Sequence, residues 1–346
     1  MNRADLVDKL QLASLALADN NTVPILQCFM FTGTKLSATD GVVGVTITCK
    51  TDEAFAVDGK TLLGLLSNSS GDEVEFITSD NDVVIKTGRS NFKLPYMEEG
   101  AFVFAGDKNR ATFGHPIDEA LIKGIQACLM TASRDATKAA LWGVTVNRSK
   151  TIKFYSCDGD ALTRYDTKTS NGAGPDIMLP IKFCEALVKI ASTVGLGKQA
   201  LLSVSKDWVR AQITDGYEVH GHLVENNNPL NHEDVITRVL KNKPKFFKVP
   251  EGFNEALTRA QVVTKNETAR TVLTAEGGKL KLFTETQMGI VRDSVSLSDH
   301  PDVTADVNAE LIQRSIAICD EIAITSRCVA CQSGEALLQI ISNMNK

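Results

Sequence analysis

Several short stretches of this 346-residue chain place chemistry-bearing side chains at suggestive spacing. Gly59-Lys60-Thr61 reads like the close of a Walker A phosphate loop, but position 54 is Ala. Without that first glycine the backbone cradle is incomplete. Gly195-Leu196-Gly197-Lys198-Gln199 lacks the required Ser or Thr and fails likewise. Cys328-x-x-Cys331 would suit zinc or redox chemistry only with further ligands or a helix start. It lies in a strand pattern, where residues three apart point to opposite faces. His220-x-His222 puts two imidazoles on one strand face with no evident third ligand. Asp40 and Asp158 recur before equivalent turns, which suits turn capping better than acid/base work in one site. No nucleophile, metal or cofactor constellation emerges. The chain is therefore expected to be no enzyme and to need no cofactor.

The composition is 43% hydrophobic and 23% charged, with 24 Gly and 9 Pro, which excludes collagen-like and low-complexity classes. The formal charge of −5 argues against a generally basic nucleic-acid binder, although a whole-chain sum hides any local basic face. No apolar run approaches the roughly 18 residues of a membrane span, and the first residues show no signal-peptide h-region. The eight cysteines are scattered through apolar segments and read as buried thiols. The expected compartment is the cytoplasm, with no membrane partner.

The elements that must position any site repeat along the chain. Three amphipathic helix patterns open three segments. The first carries Leu6, Leu10, Ala13 and Leu17 on one stripe. The second starts at Pro116 with Ile117, Leu121, Ile125 and Cys128, and the third near Pro250 with Phe253, Leu257 and Ala260. Alternating strand patterns follow each, then a second helix (59–66, 181–191, 309–319), then a closing hairpin. The hairpin glycines Gly88, Gly216 and Gly334 recur at intervals of about 120 residues. The fold class is α+β: three tandem helix/antiparallel-sheet units over residues 1–114, 115–242 and 243–346. Their edge strands could pair end to end into a continuous curved sheet, and closing the array with a second chain would remove the two remaining edges.

These residues resemble those of the bacterial beta sliding clamps, the processivity subunits of replicative DNA polymerases, and suit a divergent or phage-borne member. In the first unit the likeness lies in Pro24-Ile25-Leu26, residues 33–40 (GTKLSATD), residues 57–66 and residues 88–94. In the second it lies in Leu141-Trp142-Gly143-Val144, residues 157–162, Leu179-Pro180-Ile181-Lys182, Val209-Arg210-Ala211, His222-Leu223-Val224 and Pro229. The third is weaker: residues 253–259, Val307-Asn308-Ala309 and residues 340–344. No piece is a strong motif alone; their order over the full length is what is specific. The resemblance implies a DNA clamp fold, a head-to-tail homodimer ring of six similar domains, helices lining the hole, and no catalysis.

The resemblance assigns two working surfaces. Basic residues on pore-facing helices would attract duplex DNA without reading sequence: Arg3, Lys9, Lys60, Lys123, Lys182, Lys189, Arg259 and Arg314, with Arg134 and Lys138 at one mouth. Unspecific binding at about 10⁻⁴–10⁻⁶ M with steered association implies dissociation within about ten milliseconds, so persistence has to be topological. A hydrophobic pocket would take short peptides from the DNA polymerase and the clamp loader, formed by Leu141, Cys157, Gly159, Leu162, Pro229, Ile340, Ile341 and Met344. The same apolar residues could equally be plain core. Departures from the family pattern concentrate here. The tail ends Ser342-Asn343-Met344-Asn345-Lys346, Asp160-Ala161 replaces the usual His-Arg, and His232-Glu233-Asp234 stands where basic residues are expected; on the DNA side, Ala139-Ala140 replaces an aromatic pair. The competing function is a repeat-built protein-binding scaffold that does not encircle DNA.

Overall fold

The computed structural model describes residues 1–19, 23–79, 81–95, 97, 111, 113–135, 137–170, 174–226, 229–264, 270–297 and 300–344. Helix α1 (Arg3–Ala13) is capped by Asn2, whose side chain accepts from the Asp5 amide at 3.0 Å. Strands β1 (Cys28–Thr32), β2 (Lys35–Thr39), β3 (Val43–Thr48) and β4 (Ala54–Asp58) lead to α2 (Gly59–Ser67), capped by Asp58. Then come β5 (Glu75–Thr78), β6 (Asp82–Thr87) and β7 (Ser90–Pro95). A second round runs β8 (Phe113–Pro116), α3 (Glu119–Leu129), β9 (Val144–Arg148), β10 (Thr151–Cys157), β11 (Ala161–Ser170) and β12 (Gly174–Leu179). It finishes with α4 (Ile181–Val194), β13 (Leu201–Val204), β14 (Trp208–Thr214) and β15 (Tyr217–His222). The last round holds α5 (His232–Val239), β16 (Phe247–Lys248), α6 (Phe253–Thr264), β17 (Arg270–Glu276), β18 (Lys279–Thr286) and β19 (Gly289–Ser296). It closes with β20 (Val303–Asn308), α7 (Ala309–Ile316), β21 (Glu321–Ile324), β22 (Cys328–Ser333) and β23 (Leu337–Ser342).

The strands form four antiparallel sheets: β4-β1-β2-β3-β15-β14-β13-β8, β12-β9-β10-β11-β23-β22-β21-β16, β19-β18-β17-β20, and β5-β6-β7. The end-to-end pairing expected from the sequence occurs at β3·β15 and β11·β23, but it yields two separate eight-stranded sheets instead of one continuous sheet. Two compact units result. One comprises Met1–Ile122 with Leu179–Val224, the other Lys123–Met178 with Glu225–Lys346. This grouping follows the sheets, whereas the division at 114 and 242 follows the period of the sequence.

In the first unit α1 and α4 cover one face of the eight-stranded sheet. The apolar stripe of α4, including Ile181, Phe183, Leu187 and Ile190, is buried while Lys182 and Lys189 stay exposed. In the second unit α6 and α7 bury Phe253, Leu257, Ala309 and Ile312 in a core shared with Val329, Cys331, Leu337 and Ile341. Gly88, Gly216 and Gly334 all have positive φ (+55°, +81° and +51°), so the recurring glycines mark left-handed turn positions. Asp40 Oδ1 accepts from the Val42 and Val43 amides, and Asp158 Oδ1 from the Asp160 and Ala161 amides, as expected of turn caps.

Element boundaries differ from the sequence reading in three places. Pro116 ends strand β8, opposite Leu201, and α3 starts three residues later, where Asp118 Oδ1 accepts from the Leu121 amide at 2.8 Å. Helix α7 ends at Ile316, because the amides of Ala317, Ile318 and Cys319 turn back onto Gln313 and Ser315. Helix α5 is additional to the elements anticipated. Among the described residues no helix is long and apolar enough to cross a membrane.

Candidate functional site

The strongest candidate surface lies in the second unit, on the sheet face opposite α6 and α7. Side chains alternate along β23, so Leu338 and Ile340 share one face and Leu337 and Ile341 the other. Leu338 and Ile340 join Tyr155, Leu162, Cys328 and Ala330 in an apolar cluster, with Cys157 packed against it. Helix α5 lies over this cluster through Val235, Ile236, Val239 and Leu240.

The sequence of α5 explains both its helicity and its anchorage. Asn231 caps it, Glu233 and Asp234 occupy the first turn, and Arg238 in the last turn pairs with Asp234 at 3.4 Å. Glu233 then ties the helix to the sheet. Its Oε1 accepts from Tyr155 Oη at 2.6 Å and from Lys153 Nζ at 3.0 Å, with Arg164 3.8 Å from Oε2. Burial alone would raise the Glu233 carboxyl, but the hydrogen bonds from Tyr155 and Lys153 outweigh it and hold it below the ordinary range. Burial and then the Glu233 acceptor push the Tyr155 hydroxyl well up. His232 stacks on the Tyr155 ring at 4.9 Å, and burial lowers its pKa to about 4, so it is neutral.

Of the eight expected pocket residues, Leu162 and Ile340 meet as cross-strand partners, each 4% exposed. Cys157 borders them, and Gly159 turns the β10–β11 connection at φ +104° with its amide donating to Cys157 Sγ. Half-buried Leu141 ends a short 3-10 turn that Lys138 links to this connection by donating to the Asp158 carbonyl at 3.1 Å. Exposed Pro229 lines a small cleft with Tyr155, Asn231, His232 and Glu233. Ile341 is not in this group; strand alternation puts it in the core beneath α6 and α7. Met344 is 38% exposed on a tail whose amide donates to the Asp306 carbonyl, and it is not a member of the apolar cluster. Asn345 and Lys346 lie outside the described residues. The sequence reading missed Tyr155, Leu338 and α5. The Asn cap, acidic first turn and basic last turn were the signal that could have found the helix.

Eight of the ten basic residues sit on helices, Arg134 and Lys138 lie in the loop after α3, and most of the helical ones are engaged by neighbours. Arg3 spends its guanidinium on the Gly71 and Leu66 carbonyls, at the C-terminal end of α2. Lys9 is mostly buried and pairs with Asp5 at 2.9 Å. Exposed Lys60 meets Asp19 at 3.3 Å, Lys182 meets Asp40 at 2.7 Å, and Arg259 meets Asp293 at 2.6 Å. Arg314 pairs with Glu310 one helical turn away. Lys123, Arg134, Lys138 and Lys189 are exposed. Acids share these helices too: Asp5 and Asp8 on α1, Glu119 on α3, Glu185 on α4, Glu255 on α6. The faces are mixed, with cations that can exchange a surface carboxylate for another anion.

Burial disfavours the thiolate form at the cysteines. Burial pushes Cys28 up to about 11 and Cys128 and Cys319 up to about 12. Cys328 and Cys331 enter clusters on opposite faces of β22.

No protein-family model matches this chain, and no curated protein matches it by sequence. Solved structures do match along its full length. The sliding clamp (DNA polymerase III subunit beta) of Bartonella birtlesii, bound to griselimycin, aligns with TM-score 0.87 and 19% identity, covering 100% of this chain and 99% of that one. The DNA polymerase III beta subunit of Thermotoga maritima gives 0.83 and 19%, covering 100% and 98%. The beta clamp of Helicobacter pylori, bound to a DNA ligase peptide, gives 0.81 and 15%, covering 100% and 99%. From end to end, this chain has the fold of the DNA polymerase III beta sliding clamps.

Proposed function

We propose that the protein is a DNA sliding clamp: a non-catalytic ring that encircles duplex DNA without sequence preference and tethers a DNA polymerase for processive synthesis. The observation that carries this reading is a fold likeness spanning essentially the whole of both chains, with a TM-score of 0.87. The chain is then three clamp domains, 1–114, 115–242 and 243–346, and two chains make six. Its place of work is the cytoplasm, where replication proceeds.

The exposed edge of the second unit supports closure by a second copy. Strand β19 ends its sheet and, among the described residues, pairs only with β18. Beside it Val262, Met288 and Ile290 are 67%, 68% and 51% exposed, and Thr286 Oγ1 donating to the Val263 carbonyl at 2.7 Å draws the end of α6 to this edge. An open edge with an apolar border favours pairing with another chain. Head-to-tail, the partner's edge comes from the β5-β6-β7 sheet.

DNA attraction falls to Lys60, Lys123, Lys182, Lys189, Arg259 and Arg314, with Arg134 and Lys138 at one mouth. Arg3 and Lys9 contribute less, since backbone carbonyls and Asp5 hold them. The cluster of Cys157, Leu162 and Ile340, rimmed by Leu141, Gly159, Pro229 and Met344, receives short hydrophobic peptides of the polymerase and clamp loader. Similar clamps hold a ligase peptide or griselimycin.

The deciding experiment is solution mass combined with retention on DNA. Two chains per particle, and loaded protein that survives on closed circles but slides off linear DNA, are expected. A stable monomer that is never retained on circles would leave only the scaffold reading. Ile290→Asp should convert the dimer to monomer, and Lys182→Glu with Lys189→Glu should weaken loading and flatten its salt dependence. Griselimycin titration tests the pocket.

A further inference from the structure

Strand β23 reads Leu337-Leu338-Gln339-Ile340-Ile341, and each of its four apolar members is at most 6% exposed. Two serve the cluster under α5, and two serve the core under α6 and α7. A strand that is apolar on both faces carries no period-two signal. Displacing it by one residue would swap the faces and bury a similar amount of hydrocarbon. Neighbouring β22, with Cys328-Val329-Ala330-Cys331 all buried, is equally indifferent.

Gln339 is the exception. It is fully buried, and its Nε2 donates to Thr163 Oγ1 at 3.0 Å. Thr163 Oγ1 lies 2.6 Å from Thr131 Oγ1, which lies 2.7 Å from Ser156 Oγ. Thr163 is also the register partner of Gln339, so this chain of hydroxyls meets the amide in one alignment only. On the other face the amide would meet Tyr155, Leu162 and Ile236. Gln339 Oε1 has no hydrogen-bond partner among the described residues. A side chain kept at such a cost, where leucine would fit, contributes alignment more than stability.

We propose that the Gln339–Thr163–Thr131–Ser156 chain is a register lock that holds Leu162 and Ile340 opposite one another as the pocket floor. Gln339 is a positioning residue: it lies on the far side of the sheet and acts through its neighbour Ile340. This rests on the peptide-pocket reading above.

The test is the double variant Thr163→Val with Gln339→Leu, in the full-length protein. A urea midpoint no lower than that of the parent protein is expected, together with a loss of at least tenfold in griselimycin affinity. Methyl NOEs between Leu162 and Ile340 should vanish or split into several sets. Thr163→Ser, which keeps the hydroxyl, should bind within twofold of the parent. A double variant that binds within twofold and retains one set of NOEs overturns the lock. If the parent protein does not bind griselimycin, the pocket reading falls, and the NOEs still decide the lock. Should the double variant fail to fold, Gln339→Met carries the same two readouts.

Discussion

The pairs β3·β15 and β11·β23 occupy the same place in two sheets of corresponding strand order, yet their outer faces differ in chemistry. At β3·β15 the helix side holds Val45 opposite Val219, while the other side holds Thr46 opposite Glu218 and Gly44 opposite His220. Polar contacts finish that side: Arg210 to Glu218 at 2.6 Å and Ser37 to Thr46 at 3.2 Å. At β11·β23 the helix side holds Thr163 opposite Gln339 between the core pairs Ala161–Ile341 and Tyr165–Leu337, and the other side holds Leu162 opposite Ile340. Topology is therefore silent about where a partner docks. An apolar outer face at one junction creates the candidate pocket, and that same choice removes the alternation that would have set the register. Strand β15 (Tyr217-Glu218-Val219-His220-Gly221-His222) alternates and needs no such device.

Four substitutions or titrations test this contrast. The largest effect is expected from Leu162→Ala, which opens a cavity between Ile340 and Tyr155 and should cost about 2–5 kcal/mol in urea unfolding, with loss of griselimycin binding. A loss below about 1 kcal/mol would mean the cluster is loosely packed. Next is pH. Folding holds His232 neutral, with its pKa depressed to about 4, so its contribution is complete above the unfolded value near 6.5 and lost as pH falls toward 4. About 3 kcal/mol of stability should disappear across that window, and His232→Gln should flatten the profile. An unchanged profile would refute the buried neutral imidazole. Glu233→Ala unlatches α5 from Tyr155 and Lys153; because Glu233 is partly exposed, the expected loss is roughly 1–2 kcal/mol, with faster amide exchange confined to α5. The smallest effect belongs to the polar junction: Thr46→Val should cost at most about 1.5 kcal/mol and leave griselimycin binding unchanged. A binding defect there would erase the distinction between the two junctions.

Much of this was legible in the residues. Period-3.6 stripes located α1, α3 and α6, and the turn glycines and Asp40/Asp158 caps marked the repeat because their backbone roles are local. Leu162 and Ile340 were legible as a pair only through family likeness. Two adjacent isoleucines in an all-apolar strand give no hint which faces the outer cluster; the strand's placement puts Ile340 there and Ile341 in the core. Helix α5 was obscured because His232-Glu233-Asp234 drew attention as missing positive charge, when Glu233 in fact finds its partners Lys153 and Arg164 about 80 and 70 residues earlier in the chain. The basic residues were found by type, but acids that hold them come from other elements, Asp40 from the β2–β3 turn and Asp293 from β19.

The residues alone settle the local matters: where helices and hairpins form, and that the unit repeats. These depend on interactions within a few residues. Only the packed structure fixed which strand ends join, which face of β23 Ile340 takes, and that Lys182 meets Asp40. Those outcomes turn on pairings across more than a hundred residues, where one buried amide outweighs a run of interchangeable hydrocarbon.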